Sequence, residues 1–312
     1  MKDFGVLVPV VTPCSRTGEV DIDGLKAVCT YVLESGCKGI FVAGSTGRGP
    51  WFDLKTKTKI CKTVKQHIGK HVPLFAGCMA SGLSEMLENT RSMADAGAQV
   101  AVLTAPGYFN YNHREIESIF LQFADASPLP VIIYDIPVFA GIKLDVQMVS
   151  RLSEHKNVIG FKDSSADMER FKILLKLLEN EHDFYLLQGK ENLIADSLID
   201  GASGVVASLI HIDPIPFVEL CRSVKKRHYD LAHNIQGKIT ELINLINSCF
   251  ARRPEVSTLF QFINAALRHR RICENILLKH EGECLDWIKD EALKAIEICA
   301  EARQLIKNGE KI

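Results

Sequence analysis

The chain has 312 residues, 47% of them hydrophobic and 24% charged, a composition that suits a globular protein with a large buried core and argues against disorder. A formal net charge of −1 gives no overall electrostatic ground for a nucleic-acid or anionic-lipid partner, and no stretch approaches the ~18 apolar residues of a membrane span. Ten cysteines scattered from Cys14 to Cys299 without a C-x-x-C pair fit buried thiols in a reducing compartment better than a disulfide framework. The start, Met1 to Pro9, lacks a signal-peptide cleavage pattern, so a cytoplasmic protein is expected.

Short apolar runs alternate with longer segments of helical period, the signature of repeated βα units. Strands are expected at Gly5–Val10, Gly39–Ala43, Pro73–Gly77, Gln99–Leu103, Leu129–Tyr134, Val158–Lys162, Phe184–Leu187 and Gly204–Ala207. Between them the pattern predicts helices at Ile22–Ser35, Leu54–Ile68 (with Asp53 as a possible cap), Leu83–Ala96, Glu115–Ala126, Asp145–Ser153, Met168–Leu178 and Leu193–Asp200. Eight strands with intervening helices close most naturally as a (β/α)8 TIM barrel, assigned to residues 1–225. Residues 226–312 are almost wholly helical in pattern and form an appended C-terminal layer with a possible role in subunit packing. No Pro/Gly/Ser-rich linker separates the two parts.

Two strand ends carry chemistry. Val158-Ile159-Gly160-Phe161-Lys162 is an apolar run that ends in a lysine just before a polar turn, at the barrel mouth where ligands bind. Desolvation there lowers the ammonium pKa, and the neutral amine attacks carbonyls. Lys162 is therefore either a Schiff-base lysine or a strand-end lysine that reaches water or pairs with Asp163. Leu129-Pro130-Val131-Ile132-Ile133-Tyr134 follows the same grammar one βα unit earlier. Sequential parallel strands are usually neighbours, which puts Tyr134 beside Lys162, either as a proton shuttle for an imine or as a rim tyrosine with a satisfied hydroxyl.

Gly44-Ser45-Thr46-Gly47 follows the second strand at the same rim. Its amides and hydroxyls suit a small carboxylate, and a plain βα turn is the alternative reading. It is not a serine-hydrolase elbow. His67 and His71 are four apart, but Gly69 lies between them at an expected helix end, so no metal is assigned; His211 with Asp213 is discounted in the same way. The basic runs Lys225-Lys226-Arg227 and Arg268-His269-Arg270-Arg271 read as solvated helix faces.

Taken together, Gly44-Ser45-Thr46-Gly47, Tyr134-Asp135-Ile136-Pro137 and Gly160-Phe161-Lys162-Asp163 resemble the signatures of the dihydrodipicolinate synthase and N-acetylneuraminate lyase superfamily. The likeness extends over roughly residues 4 to 225. It implies a class I, pyruvate-dependent aldolase, usually a homotetramer, with no metal or organic cofactor. On that resemblance Lys162 forms the imine with a 2-keto acid and Tyr134 moves protons. Ser45 and Thr46 match the position that holds the pyruvate carboxylate and links the tyrosines, and Tyr108 matches the tyrosine that completes the relay from a neighbouring subunit. Gly189 and Val206 match positions lining the pocket.

Departures bear on the substrate. Phe139 stands where the dihydrodipicolinate synthases have an arginine for a second carboxylate, and an apolar ring cannot replace a bidentate guanidinium. Arg48 follows Gly47 where many members carry glutamate and is a substrate-binding candidate for a distal carboxylate or phosphate, and Gly107 replaces a common tyrosine, so the distal pocket differs from that of most members. The expected activity is cleavage of a 2-keto-3-deoxy sugar acid, or a related 4-hydroxy-2-keto acid, to pyruvate and an aldehyde. Sialic acid cleavage, a synthase-like or dehydratase outcome on the same imine, and a non-catalytic keto-acid sensor are the alternatives.

Overall fold

The structure, a computed structural model, describes residues 4–181 and 183–309. In chain order the elements are β1 (Gly5–Pro9), α1 (Ile22–Glu34), β2 (Gly39–Val42), α2 (Leu54–Ile68), β3 (Leu74–Gly77), α3 (Leu83–Asp95), β4 (Val100–Leu103) and α4 (His113–Ala126). They continue with β5 (Val131–Asp135), α5 (Pro137–Ala140), α6 (Val146–Ser153), β6 (Val158–Asp163), α7 (Met168–Leu177), β7 (Tyr185–Gln188), α8 (Ile194–Ile199) and β8 (Gly204–Val205). Four helices follow: α9 (Pro214–Lys225), α10 (Tyr229–Arg252), α11 (Val256–His269) and α12 (Asp286–Gly309). The eight strands are parallel and close in sequence order, with β8 pairing back to β1. The chain is a (β/α)8 barrel with a C-terminal helical extension.

The described residues form two compact units. One contains residues 4–9 and 38–207 and holds all eight strands with α2 to α8; the other contains 10–37 and 208–309. In the first unit the strands are short, β-branched and aromatic runs buried along nearly their whole length, as expected of parallel strands covered on both faces. Leu7, Phe41, Phe75, Val102, Ile132, Tyr134, Leu187 and Val206 pack as one cluster. Each such large apolar side chain stabilises the fold by roughly 1.5–3 kcal/mol when taken from water.

Helix starts are written locally. Asp53, Asp145 and Asp167 accept hydrogen bonds from the first-turn amides of α2, α6 and α7. The helix expected from Glu115 begins two residues earlier because Asn112 and Glu115 form a reciprocal capping box. The expected strand ends at Tyr134 and Lys162 each run one residue further, since Asp135 and Asp163 also pair across β5 and β6. Proline at the first helical position starts the short α5, which the sequence pattern did not signal.

In the second unit α12 packs on α9, α10 and α11. Asp213 caps α9 and accepts from Arg303 Nε and Nη2, each at 2.7 Å, and from Arg270 Nη2 at 3.1 Å. His211 is fully buried; Nδ1 donates to the Ser208 carbonyl at 2.8 Å, and Nε2 accepts from the Val11 amide at 3.2 Å. Both ring nitrogens are thus used structurally, and burial pushes the imidazole down to about 4. Gly69 ends α2 before His71, so His67 and His71 do not share a helix. No helix among the described residues is long and apolar enough to cross a membrane.

Candidate active site

Tyr134 and Lys162 are register partners near the C-terminal ends of β5 and β6. Strand alternation turns both side chains to the same face, and Lys162 Nζ lies 3.8 Å from the centroid of the Tyr134 ring and 5.6 Å from that of Phe41. Lys162 is only 5% exposed. Desolvation brings its pKa from the ordinary 10.5 down to about 7, partly opposed by the negative charge of Glu191. The aromatic faces also favour the ammonium form, but the loss of water outweighs them. At pH 7 about half of the amine is neutral, where an ordinary lysine would have roughly one part in three thousand.

Tyr134 shifts the other way. Burial raises its phenol to about 12, while hydrogen bonds with Ser164 and Ser45 lower it in part. Ser164 Oγ lies 3.5 Å from the phenol oxygen, a long contact. The site therefore pairs a nucleophilic amine with a neutral hydroxyl able to give and take a proton. The reading in which Lys162 pairs with Asp163 fails geometrically: Asp163 is the next residue along the strand, faces the other way and meets Arg170.

Backbone packing holds these groups close. A Cβ at Gly189 would lie 2.1 Å from Ser164 Oγ, 2.8 Å from the Asp163 carbonyl oxygen and 3.2 Å from Lys162 Cε, so only glycine fits. Its amide donates to that carbonyl at 2.7 Å. At the end of β2 the chain turns through Ala43 with φ 53°, and a Cβ at Gly49 would lie 1.8 Å from the Ala43 carbonyl oxygen. That turn sets the loop carrying Ser45 and Thr46, both half-buried.

Beside the pair is a cavity of about 460 Å³ whose wall includes Ser45, Ser81, Thr104, Ile136, Tyr108 and Phe139. Ser45 joins the two, since it bonds the Tyr134 phenol and lines the cavity. Among the described residues that line the cavity, none carries a formally charged side chain. Tyr108 is 78% exposed and Phe139 57%. Val206 is buried in the cluster that contains Tyr134. Arg48 is buried with φ 54° and lies outside the cavity wall.

The structure thus gathers Lys162, Tyr134, Ser45, Gly189 and Val206, places Tyr108 and Phe139 at the cavity with Ser45, and keeps Arg48 apart. Three groups were not singled out from sequence. Ser164 has the signal of being two residues beyond Lys162, where continued alternation just past the end of β6 returns it to the same side. Glu191 follows the β7 end by three residues. Arg170 is a first-turn helix residue with no local mark of its role.

A parallel eight-stranded barrel that holds a buried lysine of lowered pKa against a phenol at its strand ends has the groups that Schiff-base chemistry requires. The sequence profile of the "Dihydrodipicolinate synthetase family" matches residues 2–269, and the chain belongs to that family, part of the superfamily of class I pyruvate-dependent aldolases and lyases. It is 31% identical over 222 residues to a 4-hydroxy-tetrahydrodipicolinate synthase of Xylella fastidiosa, covering 71% of this chain and 72% of the relative. It is 28% identical over 240 residues to the enzyme of that name from Methanospirillum hungatei, covering 76% and 82%. In fold it is similar to CdNal from Clostridium difficile in complex with mannosamine, with TM-score 0.86, 19% identity and coverage of 95% and 99%. A dihydrodipicolinate synthase from Bacteroides thetaiotaomicron superposes with TM-score 0.87, 24% identity and coverage of 94% and 97%. For YagE from E. coli K12, in complex with pyruvate, the values are 0.86, 20%, 96% and 98%.

Proposed function

We propose that this protein is a Schiff-base-forming lyase that reversibly cleaves a 2-keto-3-deoxy sugar acid, or a related 4-hydroxy-2-keto acid, to pyruvate and an aldehyde. The observation that carries this reading is the buried Lys162 amine, brought to about 7, standing 3.8 Å over the Tyr134 ring. The neutral amine adds to the C2 carbonyl, and the carbinolamine takes up one proton as it loses water, leaving an iminium. The C3–C4 bonding pair then flows into that iminium as the C4 hydroxyl gives up its proton and the aldehyde departs. The resulting enamine takes at C3 a proton equivalent to the one the C4 hydroxyl gave up, and water returns pyruvate, the free amine and the proton taken up in forming the iminium.

Tyr134 carries the protons, and its bonds to Ser45 and Ser164 support a relay. Ser45 and Thr46 hold the keto-acid carboxylate, while Gly189 and Val206 bound the floor of the pocket. The exposed Tyr108 completes the relay from a neighbouring subunit, so the working form is an oligomer, a homotetramer as is usual in the family, with the helical layer from residue 226 onward serving subunit packing. The uncharged cavity wall supports a neutral, hydroxylated aldehyde half, and Arg48 acts on the Ser45 loop rather than on a distal acid. The ten free thiols fit a cytoplasmic location.

Borohydride reduction in the presence of pyruvate, followed by peptide mass spectrometry, tests the scheme. A pyruvate-sized adduct on the Lys162 peptide, absent without pyruvate, is expected. No adduct from folded protein would move the keto-acid sensor to the front. A sugar-acid panel with pyruvate detection then identifies the aldehyde. The curated relatives favour a second reading, condensation of pyruvate with a carboxylate-bearing aldehyde. Phe139 in place of an arginine opposes it, and the same panel run in the synthetic direction decides between them.

A further inference from the structure

Directly behind the candidate pair lies a group of buried charges that the proposed chemistry does not use. Asp135 and Asp163 follow Tyr134 and Lys162 in sequence and are register partners in their turn. Alternation sends their carboxylates to the opposite face of the sheet, where Arg170, in the first turn of α7, meets both. Arg170 Nη2 lies 2.5 Å from Asp163 Oδ2 and 2.6 Å from Asp135 Oδ2. The same nitrogen donates to Ser165 Oγ at 3.0 Å, and Nη1 donates to the Leu144 carbonyl. All three residues are buried: Asp135 is 1% exposed, Asp163 2% and Arg170 6%.

As a source of stability the group is costly. Three buried charges carry a desolvation penalty that well-packed apolar residues of similar volume would avoid. Satisfaction is also incomplete, because Nη2 directs its hydrogens to Asp163 and Ser165. Asp135 Oδ2 is left in charge contact without an aligned hydrogen bond, and Arg170 Nε has no partner. What the arrangement does provide is geometry. Two carboxylates on adjacent strand ends repel, and one planar guanidinium between them sets their separation. The effect passes on through the backbone, where the Ser164 amide donates to the Asp135 carbonyl at 2.8 Å and the Gly189 amide to that of Asp163 at 2.7 Å. Ser164 in turn reaches the Tyr134 phenol.

We propose that Arg170, with Asp135 and Asp163, is a positioning group for the reaction: a charge clamp on the outer face of the barrel that fixes the Lys162 amine against the Tyr134 phenol. This rests on the Schiff-base reading of Lys162.

The test measures the rate of borohydride-trapped pyruvate adduct on Lys162 against pyruvate concentration, together with thermal melting, for wild type, Arg170→Lys, Asp135→Asn and the double variant. Arg170→Lys keeps the charge but loses the planar fork. Its saturating rate should fall about tenfold or more, while the half-saturating pyruvate concentration changes far less, because misplacement of reacting groups acts on the bond-forming step. A single ammonium is enough for one carboxylate, so adding Asp135→Asn to Arg170→Lys should restore much of the rate. A merely structural role would lower melting temperatures and leave the saturating rates of folded variants within about twofold of wild type, and that result overturns the clamp. Where Arg170→Lys does not fold, Asp135→Glu decides, since it keeps both charges and displaces the guanidinium by one methylene, and a saturating rate within about twofold of wild type in that variant also overturns the clamp. Absence of the adduct in wild type overturns the Schiff-base reading and the clamp with it. A normal wild-type adduct with unaffected variants overturns the clamp alone.

Discussion

Replacing Lys162 by methionine should make the protein more stable, by an amount that depends on pH. Methionine keeps the length and apolar stem and removes the charge. The unfolded lysine holds its proton until about pH 10.5 and the folded one releases it near 7. Between those values the unfolded chain binds more protons than the folded one, so wild-type stability rises with pH across that window. Below pH 7 the folded state carries a buried ammonium and the full penalty applies. At about 1.4 kcal/mol for each tenfold in protonation, the fall from 10.5 to about 7 corresponds to an upper bound of about 5 kcal/mol. Lys162→Met should therefore gain a few kcal/mol at pH 6 to 7, and the gain should shrink steadily toward pH 10. The assay is urea unfolding of both proteins at equal concentration, with ΔΔG followed against pH. A flat ΔΔG, or a variant less stable than wild type at pH 6, would refute the depressed lysine and with it the source of nucleophilic amine.

Tyr134→Phe should retain a trappable imine and lose about 100-fold or more in aldol turnover, since a positioned acid–base group contributes on that order; single-turnover kinetics separate the two steps. Gly189→Ala should cost about 1–3 kcal/mol by overpacking, with its Cβ forced to within 2.1 Å of Ser164 Oγ, and should slow trapping because Lys162 Cε is the next atom displaced; melting and trapping report each effect. Phe139→Arg, at a site 57% exposed, should leave stability within about 0.5 kcal/mol and shift the kcat/KM ratio toward aldehydes that bear a carboxylate. An unchanged ratio would remove Phe139 from substrate selection.

The close fit between Gly189, Ser164 and Lys162 leaves no room for an added atom at the site, whereas the residues at the cavity mouth are exposed. The amine and phenol are anchored on strands whose neighbours touch them within van der Waals distance. Phe139 and Tyr108 lie on connecting segments and are exposed. Chemistry built on strand ends with selectivity on the βα connections is the usual division of labour in this barrel.

The barrel and the Lys162–Tyr134 pair were legible in the amino-acid sequence because they rest on local signals: apolar runs of strand length, turn residues at their ends, and sequential parallel strands that lie side by side. Helix caps such as Asp53 were legible for the same reason. Asp135 and Asp163 also stood in the sequence, but as turn formers. That they are buried strand residues facing one guanidinium depends on Arg170, which approaches from a separate helix and carries no periodic mark. The burial of Arg48, the meeting of Ser164 with Tyr134, and the uncharged wall of the cavity are likewise contacts between segments far apart in the chain. The depth of the lysine pKa shift belongs with them, since desolvation is summed over every atom that displaces water, and only the closed barrel decides which atoms those are.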